Sequence, residues 1–77
     1  MDISNYDEIA VLAVLSTVQC GFGWFIKAAC YYSGRYCFIS GNDLRIDCDA
    51  NNKIHIGKFN FNGTDATTTA KYYYLGR

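Results

Sequence analysis

The chain starts polar and then runs without a charge through residues 9–26. At 100° per residue, Val11, Val14, Leu15 and Val18 share one face, with Leu12 at its margin. That spacing predicts an amphipathic helix over 6–19. Asn5 with Glu8 three positions on is a capping-box signal, and Asp7 and Glu8 complement the positive end of a helix dipole. The opposite face would carry Ala10, Ala13, Ser16 and Thr17, bordered by Ile9, with no Lys or Glu to solvate it. A second interface at Ala10, Ala13 and Thr17 is therefore expected beside the reading of a small exposed face. Cys20-Gly21-Phe22-Gly23 ends the helix as a C-cap and exit turn.

From Trp24 the pattern changes to short runs at 24–32, 35–40, 43–49, 53–61 and 64–75. They are divided by Ser33-Gly34, Gly41-Asn42, Ala50-Asn51-Asn52 and Asn62-Gly63. The spacings leave no room for crossover helices, so an antiparallel meander is predicted. Tight loops pair Cys30 with Cys37, Ile39 with Leu44, Cys48 with Ile54 and Asp47 with His55. This register places Ile26, Ala28, Cys30, Cys37, Ile39, Leu44, Ile46, Cys48, Ile54 and Ile56 on one side. Phe25, Lys27, Tyr31, Tyr36, Phe38, Arg45, Asp47 and His55 take the other. After Ile56 the apolar phase passes to Phe59 and Phe61, which predicts a bulge at Gly57. The expected fold is α+β in two layers: an N-terminal helix on one face of a four- to five-stranded antiparallel meander, one domain over 1–77.

Composition narrows the function classes. Seven basic and seven acidic residues give zero formal charge over 77 residues, which argues against a polybasic nucleic-acid binder and makes nucleic acid the weaker partner. A chain this short has room for one thin core and none for a separate cofactor domain. The acidic start offers no charged n-region of a signal peptide, so cytoplasmic residence and reduced thiols are expected. The uncharged stretch 9–26 reaches the lower edge of membrane-span length, but Ser16, Thr17 and Gln19 interrupt it and the glycines break it. No membrane partner is expected.

No catalytic, metal or cofactor site is expected. Nine, six and ten residues separate the four cysteines, which matches no zinc pattern. His55 is the single histidine, and the nearby cysteines alternate to the opposite face, so a Cys-His pair fails on geometry. The GxG at 21–23 follows a helix and precedes a strand, the reverse of a phosphate loop. The aromatic sheet face carries the functional expectation. Tyr31, Tyr36 and Phe38, with Lys27, Arg45 and Tyr73, form the predicted partner-binding set, since Tyr and Arg are enriched at interface hot spots.

A helix followed by a meander resembles cystatin-like architecture without that family's motif residues, and residues 43–65 resemble small cysteine-bearing lectin repeats without their paired cysteines. In type, the chain looks like the small proteins of phages and mobile elements, anti-CRISPR inhibitors among them, which would place it in a host cytoplasm. That resemblance implies a non-enzymatic module that binds and blocks or modulates a larger protein or complex. The alternatives are a self-associating structural subunit, in which a second copy is the partner, and a small glycan- or nucleic-acid-binding domain using the aromatic face.

Overall fold

The computed structural model describes residues 1–31, 35–39 and 42–77, with side chains from 32–41 outside the description. Among the described residues the fold is nearly all β, 58% strand and 6% helical, with no helix of seven residues or more. Strands β1 (Glu8–Val14) and β2 (Cys20–Ile26) form a hairpin, followed by one helical turn, α1 (Lys27–Cys30). Strands β3 (Arg35–Ile39), β4 (Asn42–Cys48), β5 (Ile54–Phe61) and β6 (Thr64–Asp65) then meander, and β7 (Lys71–Gly76) returns to the hairpin. The outcome is a three-stranded antiparallel sheet in the order β2-β1-β7 and a four-stranded one in the order β3-β4-β5-β6.

The expected N-terminal helix, and with it the α+β class, is overturned. Residues 9–14 are apolar at every position, so a strand apolar on both faces has the same letters as a helix segment. In the fold β1 alternates: Ile9, Val11 and Ala13 are fully buried, while Ala10, Leu12 and Val14 face outward. β-Branched Ile and Val suit that setting better than a helix interior. Residues 15–19 form the hairpin turn, closed by the Leu15 N–H donating to the Gln19 carbonyl at 2.8 Å. The stretch 9–26 is thus two strands, and among the described residues no helix is long and apolar enough to cross a membrane.

The run expected at 24–32 also moves. Its strand starts at Cys20 and ends at Ile26, and the phase reverses, with Phe25 buried and Ile26 half exposed. Glycines explain the reversal. Gly21 and Gly23 occupy inward positions, and a Cβ on Gly23 would lie 2.7 Å from the Phe25 ring and 3.1 Å from Leu44 Cδ2. The missing side chain is the space into which Phe25 folds and through which the two sheets touch. Cys30 closes α1 rather than facing Cys37 across a ladder, so the expected cross-strand cysteine pair does not form; the side chain of Cys37 lies outside the described residues.

The second sheet follows the sequence more closely. Cys48 pairs with Ile54, Asp47 with His55 and Ile46 with Ile56, and the ladder slips by one residue where Gly57 intervenes. Asn62 and Gly63, at φ 50° and 78°, close the β5–β6 turn between Phe61 and Thr64. Positive φ at both central positions is the type I′ hairpin turn that Asn-Gly favours. The β3–β4 register differs from expectation, with Tyr36 opposite Leu44 and Ile39 opposite Asn42 around an irregularity. The expected strand 64–75 splits, since Ala66–Ala70 turn and carry the chain from one sheet to the other; the Ala70 N–H donates to the Ala66 carbonyl at 3.0 Å.

Both inner faces meet in one core. Ile9, Val11, Ala13 and Phe25 from the first sheet pack with Leu44, Ile46, Ile54 and Phe59 from the second, joined by Ile3, Cys30 and Ala66. The N-terminal strap holds one end closed, with Ile3 fully buried, the Ile3 N–H bonded to the Asn52 carbonyl at 2.8 Å and the Ile54 N–H to the Met1 carbonyl at 2.9 Å.

Candidate functional site

The outward face of the three-stranded sheet carries a continuous apolar surface. Register sets four rows across it: Ile26, Glu8 and Arg77; then Trp24, Ala10 and Leu75; then Phe22, Leu12 and Tyr73; then Cys20, Val14 and Lys71. The two middle rows hold no charge. Relative exposure is 50% at Trp24, 53% at Phe22, 58% at Tyr73 and 70% at Leu75, so half or more of each residue's surface meets solvent. Because β1 contributes small residues and its neighbours large ones, the face is a shallow groove. Ala10 and Leu12 form its floor, Phe22 and Trp24 one wall, Tyr73 and Leu75 the other, and two hollows lie along it.

Polar groups fix the upper end. The Trp24 Nε1–H donates to Glu8 Oε1 at 3.0 Å, and Arg77 Nε donates to Glu8 Oε2 at 2.6 Å. The Arg77 bond, reinforced by its charge and by Trp24, holds the Glu8 carboxyl below its ordinary range, and the Arg77 guanidinium shifts up in return. Glu8 thereby orients the Trp24 ring across the groove. The inward side of β7 differs: Tyr72 meets Phe59 edge-on with ring centroids 6.4 Å apart, and its hydroxyl donates to the Thr67 carbonyl at 2.6 Å. Burial pushes the Tyr72 and Tyr74 hydroxyls above the usual tyrosine value.

The residues expected to bind a partner do not form one cluster. Tyr73 and Ala10 lie on the groove, a wall and its floor. Ala13 is fully buried on the inner face, and Thr17 is exposed in the β1–β2 turn, so the helix face expected to unite Ala10, Ala13 and Thr17 is absent. Lys27 begins α1 and donates from Nζ to the Ser4 carbonyl at 2.8 Å. Tyr31 caps α1 and donates from its hydroxyl to Asn52 Oδ1 at 3.1 Å. Arg45 lies on β4 with Nε 3.7 Å from Asp47 Oδ1, over the backbone of Gly57. Tyr36 and Phe38 belong to β3, and their side chains lie outside the described residues.

Phe22, Trp24, Ile26, Leu12 and Leu75 escaped the sequence reading. A signal existed: in Gly21-Phe22-Gly23-Trp24 glycine alternates with aromatic, a period of two that the helix-exit reading hid. Of the uncharged opposite face of the expected helix, only Ala10 lies on the outward face of β1.

Elsewhere the titratable groups are engaged structurally. His55, expected beside Asp47, keeps that backbone register but places Nε2 2.7 Å from Asp49 Oδ2. The other Asp49 oxygen accepts the Asn51 and Lys53 N–H groups, and this set, His55 foremost, holds the carboxyl at about 2. Cys20, Cys30 and Cys48 are free, and burial pushes the Cys30 and Cys48 thiols up, opposite to the shift that activates a nucleophile. Among the described residues no group of three His, Cys, Asp or Glu side chains could hold a metal ion. Comparison with protein-family models, curated proteins and solved structures finds no match.

Proposed function

We propose that this protein is a non-enzymatic interaction module that binds a larger protein and blocks or modulates it through the outer face of β2-β1-β7. The observation that carries this reading is the uninterrupted apolar groove between the Glu8–Arg77 pair and Lys71. Half-exposed aromatic and aliphatic side chains leave on the order of 600 Å² of mostly apolar surface there, at the top of what monomers tolerate and close to one partner's share of a standard interface. Zero net charge supports recognition by shape and apolar contact rather than by long-range attraction.

The test pairs the wild-type chain with a Trp24→Glu, Leu75→Glu variant whose circular dichroism matches it. In extracts of the source cells, the wild-type chain is expected to retain one discrete protein at fixed stoichiometry, and the variant to lose it. Retention by both would remove the groove from the interaction. A wild-type dimer in light scattering that the variant abolishes would reassign the groove to a second copy of the chain.

A further inference from the structure

The first sheet is only three strands wide, and β7 is one of its two outer strands. Glu8 and Arg77 exchange both backbone bonds, Glu8 N–H to the Arg77 carbonyl at 2.9 Å and Arg77 N–H to the Glu8 carbonyl at 3.0 Å. In an antiparallel ladder such exchanges recur at every second residue, so Leu75, Tyr73 and Lys71 direct their backbone groups at β1. Tyr72, Tyr74 and Gly76 direct theirs away from it, and these groups have no further backbone partner among the described residues. The edge therefore presents three N–H and three C=O groups at strand spacing.

We propose that an extended segment of another protein, apolar at its centre and acidic at its ends, docks as an added strand on the free edge of β7. This inference rests on the partner-binding reading and names how the partner is held. Main-chain bonds to Tyr72, Tyr74 and Gly76 supply the pairing, and outward side chains of the segment extend the wall made by Tyr73 and Leu75. Charge decides the occupant. Lys71 stands at one end of the edge and Arg77 at the other; among the described residues Glu8, shared between Arg77 and Trp24, is the carboxylate bonded to Arg77, and Asp65 lies near the Tyr72 hydroxyl on the inward side. Arg77 is 80% exposed and commits only Nε to Glu8, so its terminal nitrogens face solvent. A second copy fits poorly. Full antiparallel overlap of two β7 strands, centred on Tyr74, sets Lys71 opposite the partner's Arg77, a like-charge pair on one face. It would also place both apolar grooves on the same side and cover neither.

Selection of a random peptide library displayed on phage against the wild-type chain tests this. The expected winners carry alternating β-branched or aromatic residues between acidic ends, and they slow amide exchange at Tyr72, Tyr74 and Gly76. Tyr74→Pro removes one outward N–H while leaving the bonds to β1, as edge strands tolerate, and is expected to weaken the selected peptides about tenfold or more. Lys71→Glu provides an independent check should the proline disturb the strand, since it is expected to turn the selected flank nearest it from acidic to basic. No enriched peptide, or flanks unaltered by Lys71→Glu, would overturn the inference. Peptides that bind Tyr74→Pro undiminished but lose Trp24→Ser would overturn the edge and leave the groove standing. Peptides indifferent to both would remove the two together.

Discussion

At the residue scale, Asp49 shows how one side chain substitutes for core in a thin domain. Its Oδ1 ties two backbone N–H groups of the β4–β5 turn, and its Oδ2 meets His55 on the far strand. The same turn receives the N-terminal strap through the Asn52 carbonyl. Because these bonds favour the carboxylate, the folded Asp49 titrates at about 2 against an ordinary 3.8. A depressed folded value means that the unfolded chain takes up the proton first. The stability Asp49 contributes is therefore complete above 3.8 and is lost as the pH falls through about 2. Urea midpoints of the wild-type chain are expected to drop across that window more steeply than those of Asp49→Asn, which starts lower and changes less. Parallel slopes would show that the turn does not depend on this carboxylate.

At the element scale, the two sheets differ in how openly their sequences announce them. In β5–β6, local chemistry and tertiary demand agree. Asn62-Gly63 adopts positive φ at both positions, and the Asn62 N–H is taken up by Asn42 Oδ1 at 3.0 Å. Nothing stands within 4 Å of a Cβ on Gly63, so Gly63→Ala isolates the cost of φ at +78°. That cost is expected to be about 1 kcal/mol by equilibrium unfolding. A neutral result would mean that the turn relaxes into another type. Alternation with polar residues made β4 and β5 legible, down to the Asp47–His55 register and the slip at Gly57. Alternation failed for β1 because Ala10, Leu12 and Val14, on its outward face, are as apolar as Ile9, Val11 and Ala13 inside. It failed for β2 because glycines hold two of its three inward positions while Phe22 and Trp24 face outward, the inverse of a half-buried strand. The candidate groove was hidden for that reason: the residues that build it are those that break the pattern by which strands are recognised.

At the scale of the whole molecule, that broken pattern separates stability from function. Both faces of the first sheet are apolar, yet only one meets a second layer. Ile9 is fully buried between the sheets, whereas Leu75, on the neighbouring strand and equally aliphatic, is 70% exposed. If the fold alone explained the apolar residues, replacing either would cost stability. The structure predicts an asymmetry instead. Ile9→Ala removes core volume shared with the other buried apolar residues, and is expected to cost about 2–5 kcal/mol. Leu75→Ser removes surface already in water, and is expected to stay within about 0.5 kcal/mol of wild type. Equilibrium urea unfolding of the two variants measures both. A Leu75→Ser penalty as large as that of Ile9→Ala would mean that the groove is covered within the molecule and is no binding surface. The expected inequality would leave Leu75 with no role in holding the fold, on a face where Phe22, Trp24 and Tyr73 are also half or more exposed. Selection for stability does not account for such a face, and the proposed contact with a partner would.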